Sequence, residues 1–195
     1  MSLPKIMIFA GSIRAGSFNH RLAALAAKEL TLADVETTRV SLADYPMPIY
    51  DGDLEAQSGA PDSAIKLKRL MSVHHGVFIA SPEYNASITP LLKNTLDWIS
   101  RLREGNEPPL AAYHNRVFAL AAASNGTLGG YRSLMALRQI LELGCGAHVI
   151  PDQLAVREAA SAFDEAGNLR DDAVAQRLRI VLHRLVERAR DFMPK

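Results

Sequence analysis

Short apolar runs alternate along the chain with longer amphipathic segments. Three of these runs, at 6–10, 76–80 and 116–123, are almost continuously apolar, as strands are when a parallel sheet is covered on both faces. Each run is bounded by glycine, proline, asparagine or hydroxyl residues, which end regular structure. Five strands are predicted, at 6–10, 35–42, 76–80, 116–123 and 147–156.

The segments between these runs carry apolar residues three and four positions apart, which is the spacing of one helix face. Helices are predicted at 19–30, 62–73, 89–102, 131–143 and 171–192. The segment 45–61 has three prolines and two glycines and is predicted to be a loop. Strict alternation of strand and helix predicts an α/β fold, a doubly wound parallel sheet with helices on both faces. No repeat or linker interrupts it, so 1–195 is predicted to be a single domain.

Composition and charge narrow the function classes. The chain has 22 basic and 21 acidic residues, a net charge of +1, which argues against nucleic acid or an acidic membrane surface as partner. The single cysteine, Cys145, permits no internal disulfide and suits a cytoplasmic protein. We expect it to pack at a helix end. No apolar run reaches the ~18 residues that span a bilayer, and the histidines have no metal-ligand spacing, so no membrane or metal is expected.

Three unusual loops follow predicted strands, at 11–19, 81–87 and 124–130. The carboxyl ends of parallel strands share one edge of the sheet, and ligands bind at that edge in doubly wound folds. Any one of these loops alone could be an ordinary turn. Three on one edge favour a binding site.

The first loop offers groups that suit a phosphate. It lacks the second glycine of a dinucleotide-binding turn, because Ile13 stands there, and it has no G-K-[ST] sequence. It does offer Ser12, Ser17 and Asn19 as neutral donors, Arg14 as a planar cation, and the free N–H groups of a helix start. A terminal phosphomonoester fits these donors better than a bridging pyrophosphate. Helix capping by Ser17 or Asn19 is the alternative, and it is compatible with phosphate binding.

The second loop, S-P-E-Y-N, suits a planar heterocycle. Proline restricts one dihedral angle, tyrosine offers a flat face, and asparagine can pair with an amide-like edge. Glu83 is a conceivable general base, although a hydrogen bond that holds the turn is the simpler interpretation.

Two strings in these loops carry a family resemblance. G-S-I-R-A-G-S-F-N-H-R-L, followed about sixty residues later by S-P-E-Y-N-A-S-I-T-P-L-L-K-N-T-L-D-W, resembles the NAD(P)H-dependent FMN reductase family. That flavodoxin-like family includes quinone, azo-compound and chromate reductases, and the resemblance covers nearly the whole chain. It implies a five-stranded sheet of order 2-1-3-4-5. The sequence departs from the family at Ala86, where glycine is frequent, and at Thr89-Pro90, where proline then glycine is frequent.

The resemblance also implies roles for individual residues. Those around the FMN phosphate and ribityl chain would be Ser12, Arg14, Ser17, Phe18 and Asn19. Those bordering the isoalloxazine would be Pro82, Glu83, Tyr84 and Asn85. Ser124 and Gly126 would close the third side.

The implied function is a flavoprotein reductase with FMN as cofactor and NADPH or NADH as electron donor. Nicotinamide and then a small-molecule acceptor would occupy the same place in turn, with hydride chemistry carried by FMN and no catalytic side chain. One alternative is a flavin reductase that supplies free reduced FMN to a partner. Another is a flavodoxin-like electron carrier, although such carriers are typically strongly acidic and this chain is balanced.

A homodimer or homotetramer is also implied by the resemblance. The predicted helix 89–102 carries more apolar residues than one sheet face needs, which makes it an interface candidate, although core packing explains part of the pattern. These residues are Leu92, Leu96, Trp98 and Ile99.

Overall fold

The computed structural model describes residues 3–33 and 35–194, which contain one parallel five-stranded sheet. Its strands are β1 (Lys5–Ala10), β2 (Glu36–Val40), β3 (Gly76–Ala80), β4 (Val117–Ala123) and β5 (His148–Val156). The order β2-β1-β3-β4-β5 and the parallel pairing confirm the predicted fold class. β1, β3 and β4 are central, so the loops that follow them lie side by side.

Helices cover both faces of the sheet. They are α1 (Phe18–Thr31), α2 (Gly52–Ser58), α3 (Asp62–Ser72), α4 (Pro90–Arg101), α5 (Ala111–His114), α6 (Tyr131–Gln139), α7 (Ala159–Ala162) and α8 (Asp172–Ala189). A π-helical turn, Ile140–Gly144, extends α6, and a 3-10 turn, Arg190–Phe192, follows α8. None of the helices in the described ranges is long and apolar enough to cross a membrane.

The three central strands β1, β3 and β4 each contribute to two cores, which explains their continuous apolar runs. In β1, Ile6 and Ile8 pack with α1 and α8, whereas Met7 and Phe9 pack with α3, α4 and α6 on the other face. All four side chains are at most 3% exposed. Because both faces are dry, no polar alternation is left in these strands.

The predicted loop 45–61 is wrong over Gly52–Ser58, which forms α2. The Asp51 carboxylate caps this helix by accepting hydrogen bonds from the backbone N–H groups of Asp53 (2.7 Å) and Leu54 (3.2 Å). No residue of α2 is buried, so hydrophobic periodicity gave no signal for it. The second strand is also shorter than predicted, because Leu42 belongs to a 3-10 turn, Leu42–Asp44.

The predicted surplus of apolar surface on α4 is wrong, because the chain itself covers that surface. The four apolar residues are between 0% and 3% exposed: Leu92, Leu96, Trp98 and Ile99. The indole Nε1–H of Trp98 donates to the carbonyl of Pro48 (2.7 Å), and the Tyr50 ring meets Trp98 edge-on at 5.0 Å. The core against the sheet therefore buries Leu92, Leu96 and Ile99, and the segment before α2 covers Trp98.

Candidate functional site

Backbone hydrogen bonds between neighbouring strand ends bring three loops to one edge of the sheet. The N–H of Gly11 donates to Ala80 (2.9 Å), and that of Ser81 donates to Ala121 (2.8 Å). We define the first loop as Gly11–Ser17, the second as Ser81–Ser87 and the third as Ser124–Gly130.

The first loop leads into the N-terminus of α1 with unused donors. Ser17 occupies the N-cap position, but its hydroxyl makes no capping hydrogen bond. Among the described residues, no backbone oxygen accepts from the N–H of Phe18 or Asn19. Ser12 and Ser17 are mostly buried, whereas Arg14 is exposed and forms no ion pair within the described ranges. Free N–H groups, the positive end of a helix dipole and a nearby guanidinium together form an anion site.

Asn19 has contacts other than those of a helix cap. Its amide Nδ2–H donates to the carbonyl of Ala123 and its Oδ1 accepts from the Ala123 N–H, both at 2.9 Å. The side chain is 3% exposed, so this pair of bonds ties the start of α1 to the end of β4 inside the protein. Asn19 therefore holds two of the loops together.

Thr89 joins the first loop to α4, which the sequence did not indicate. Its hydroxyl donates to the carbonyl of Gly11 (2.6 Å) and accepts from the N–H of Leu92 (3.1 Å), which caps the helix. A Cβ at Gly11 would lie 2.9 Å from the Leu92 side chain, so the loop passes close to the helix. The predicted helix 89–102 included Thr89, and only the fold reveals its capping role and its contact with Gly11.

The second loop closes as a tight turn around two residues of positive φ. Tyr84 and Ser87 exchange backbone hydrogen bonds of 2.9 and 3.0 Å, while Asn85 has φ +49° and Ala86 φ +65°. These angles are those of a type I′ turn, which asparagine tolerates and alanine does not favour. The turn leaves the Tyr84 side chain half exposed, next to the buried Pro82.

Glu83 is engaged in capping another helix. Its carboxylate accepts from the Nε–H of Arg132 (2.7 Å) and from the backbone N–H groups of Arg132 (3.1 Å) and Ser133 (3.4 Å) in the first turn of α6. Both carboxylate oxygens are thus bonded, and the side chain is 9% exposed. The structure favours the turn-holding role over the general base, and Arg132 is a partner that the sequence did not reveal.

The third loop is tightly packed against the strand ends. The Ser124 hydroxyl accepts from the N–H of Gly126 (3.3 Å). Gly129 has φ +61°, and a Cβ there would lie 2.9 Å from the carbonyl carbon of Val156. Only glycine combines that backbone angle with that approach. The third loop is therefore in close contact with the backbone at the end of β5.

Several large apolar side chains around this edge are exposed, and of these only Tyr84 was predicted as a site residue. Each is between 45% and 57% exposed: Ile13, Tyr84, Leu128 and Tyr131. Exposed apolar residues beside polar loops mark a surface that contacts a flat or apolar ligand. For Ile13 and Leu128, the signal in the sequence was an apolar residue inside a loop of glycine and hydroxyl residues, whereas Tyr131 begins α6.

Other candidate groups have structural partners. Cys145 is buried, and burial raises the pKa of its thiol to about 11, which keeps the thiol protonated at neutral pH. The ring of His74 bonds the Leu70 carbonyl (2.7 Å) and the Thr38 hydroxyl (2.8 Å), and burial lowers its pKa. Within residues 3–33 and 35–194, no cluster of three or more His, Cys, Asp or Glu could hold a metal.

Comparison with known proteins identifies the family. Residues 4–161 match the family model that is described as NADPH-dependent FMN reductase. The chain belongs to this family. The quinone reductase of Escherichia coli (strain K12) is 36% identical over 138 residues, 70% of this chain and 69% of the relative. A probable NADPH:quinone oxidoreductase 2 of Oryza sativa subsp. japonica is 31% identical over 182 residues, 91% of this chain and 85% of the relative.

A solved structure confirms the flavodoxin-like fold. The flavoenzyme NAD(P)H:(acceptor) oxidoreductase FerB of Paracoccus denitrificans superposes with a TM-score of 0.80 at 24% identity, over 97% of this chain and 99% of that one. Family membership confirms the predicted activity class and cofactors. The protein is an oxidoreductase, a flavoprotein reductase that uses FMN and NAD(P)H.

Proposed function

We propose that the carboxyl edge of the sheet holds FMN with its phosphate at the first loop. The observation that carries this placement is the start of α1, where the N–H groups of Phe18 and Asn19 and the Ser17 hydroxyl have no capping partner in the described part of the chain. Arg14 adds a positive charge, and Ser12 completes the polar wall of the loop. This donor set fits a dianionic phosphomonoester, since a helix N-terminus and a guanidinium both favour negative charge.

The isoalloxazine would then lie between the second and third loops. Its neighbours would be Pro82, Glu83, Tyr84 and Asn85 on one side and Ser124 and Gly126 on the other. The half-exposed Tyr84 ring and the backbone of the tight turn suit a planar, imide-bearing group. Glu83 and Asn19 would act by positioning the loops, because their polar atoms are already bonded within the protein.

The protein's contribution would be to bind and orient the reactants. When bound, FMN supplies the two-electron chemistry, accepting hydride from nicotinamide and passing it to an acceptor. Glu83 is not free to act as an acid or base, because its carboxylate accepts hydrogen bonds from the backbone N–H groups of Arg132 and Ser133. The Ser133 hydroxyl in turn donates to the carbonyl of Ser81. Ile13, Leu128 and Tyr131 would offer an apolar margin for the second reactant.

We propose a quinone as the acceptor, since the relatives from Escherichia coli and Oryza sativa are named for quinone reduction. Azo compounds and chromate are further proposed acceptors.

A cytoplasmic location is supported by the single cysteine, Cys145, which forms no disulfide. We also propose a homodimer or homotetramer, because the exposed apolar side chains around the site offer a contact surface for a second copy. A monomeric mass by light scattering would contradict this proposal.

The decisive experiment is an anaerobic titration of the purified protein. We expect retained flavin absorption that bleaches on addition of NADPH or NADH and returns on addition of a quinone. Flavin that stays oxidised with both nicotinamides would support an electron carrier instead. A protein that is colourless, and reduces added FMN only in excess, would be a flavin reductase whose substrate is flavin.

A variant of Arg14 tests the proposed position of the FMN phosphate. Arg14→Ala should weaken FMN binding about 10- to 100-fold, because a charge-assisted hydrogen bond contributes about 1.5–3 kcal/mol. Arg103→Ala, another exposed arginine outside the three loops, should leave the dissociation constant unchanged. Equal FMN affinity of Arg14→Ala and wild type would remove Arg14 from the site.

A further inference from the structure

Arg116 is a buried cation at the opposite, amino edge of the sheet, immediately before β4. It is 3% exposed, and its guanidinium has five N–H donors. Among the described residues, the one hydrogen bond of this side chain runs from Nη1–H to the carbonyl of Ala112 (2.5 Å). Its Nε is buried without a partner, and no carboxylate of the described ranges lies within ion-pair distance. Four of the five donors therefore have no protein acceptor within the described ranges.

The neighbouring carboxylates already have partners. Glu107 lines the same pocket, but it accepts hydrogen bonds from the Lys68 ammonium and from the backbone N–H of Glu104 (3.0 Å). Glu36 pairs with Lys5 at 3.4 Å. The positive charge of Arg116 is thus the one in this region that lacks a bonded carboxylate among the described residues.

A pocket of about 390 Å³ opens beside the guanidinium. Its polar lining includes His75 and Asn115 in addition to Arg116, and its apolar lining includes Val73 and Phe192. The Nδ1 of His75 accepts from the backbone N–H of Lys5 (3.0 Å), so a neutral ring carries its proton on Nε2 as a second donor. Burial, together with the positive charges of Lys5 and Arg116, lowers the pKa of His75 and keeps the ring neutral at pH 7.

We propose that this pocket binds a small oxyanion, a carboxylate or phosphate, on the guanidinium of Arg116. A buried charge without a counter-charge is costly, and the planar fork of arginine matches the paired oxygens of these anions. The pocket volume and its apolar side leave room for an organic group attached to the anion. β4 separates it from the third loop by seven residues, roughly 23 Å, so it is distinct from the proposed FMN site.

The burial of Arg116 also affects its pKa. Burial lowers the pKa of Arg116 to about 10 even though the charge of Glu107 acts in the opposite direction, and the group stays charged at neutral pH. A bound anion would offset that desolvation.

Thermal denaturation of the FMN-loaded protein tests the site with two probes, inorganic phosphate and benzoate, against sodium chloride at equal ionic strength. At ten times its dissociation constant, a bound anion should raise Tm by about 3–5 °C for a chain of this length. Arg116→Met should abolish the rise. In sodium chloride the Tm of Arg116→Met should equal or exceed that of wild type, because methionine fills the volume of the arginine side chain without a buried, unpaired charge.

Two further variants separate the possible outcomes. Arg14→Ala should keep the rise, whereas loss of the rise in that variant would place the anion at the first loop and overturn the proposal. Asn115→Asp, at an exposed position of the pocket, should reduce the rise several-fold by charge repulsion, which keeps the test valid if Arg116→Met does not fold.

Two other results would also refute the site. They are no rise with either probe and a rise that persists in Arg116→Met.

Discussion

At the carboxyl edge of the sheet, buried polar side chains are bonded to the backbone of neighbouring loops, whereas at the amino edge two buried cations meet different surroundings. Asn19 and Thr89 join loops to strands and helices and leave the start of α1 free for a ligand. Lys68, 1% exposed, is held by two glutamates, while Arg116 has one carbonyl. A buried polar group therefore points to a ligand only where the chain does not satisfy it.

The largest effect should come from breaking a satisfied group at the carboxyl edge. Asn19→Leu would leave the N–H and carbonyl of Ala123 buried without partners, and should lower the free energy of unfolding by about 2–4 kcal/mol in urea denaturation. Asn106→Leu, at an exposed position, is the matched control and should change it by less than about 0.5 kcal/mol. Similar values for both variants would mean that Asn19 does not hold the loops.

A smaller effect should follow at the amino edge from removing the satisfied cation. Lys68→Met would leave Glu104 and Glu107 without their shared ammonium, and should destabilise the protein by about 2–3 kcal/mol at pH 7. If Arg116→Met destabilised the protein equally in sodium chloride, the contrast between the two cations would disappear.

The pH dependence of the same variant sharpens the comparison. Hydrogen bonds from Arg69 and Lys68 lower the pKa of Glu104, and hydrogen bonds from Lys68 and the backbone lower that of Glu107. A carboxyl with a lowered folded-state pKa adds stability above its unfolded value of about 4.3, and that stability is lost as pH falls through the folded value. The difference between wild type and Lys68→Met should therefore shrink below pH 4.3, as measured by urea denaturation across the pH range.

The smallest effect concerns backbone strain in the second loop. Ala86 has φ +65°, so Ala86→Gly should stabilise the protein by about 0.5–1 kcal/mol. Ala56→Gly, in the exposed interior of α2, should destabilise it by a similar amount, because glycine weakens a helix. Thermal denaturation that moved both variants in the same direction would contradict a strained turn at Ala86.

The sequence by itself determined the five strands, the five longest helices and the three loops, because each depends on local signals. Periodicity distinguishes strand from helix within a dozen residues, and glycine, proline and hydroxyl residues mark turns. The two loop strings were also enough to indicate the FMN reductase family, since their residues are contiguous. α2 was not predicted, because none of its residues is buried and it therefore has no apolar pattern.

Tertiary structure decided which polar side chains are free. Asn19 meets Ala123 across 104 positions of sequence, and Glu83 meets Arg132 across 49, so no local pattern reveals either bond. The same holds for Trp98, whose apolar face looked available until Pro48 and Tyr50 covered it. Hydrogen bonds and burial join residues that only folding brings together, and they alone separate the structural groups at each edge from those left to bind a ligand.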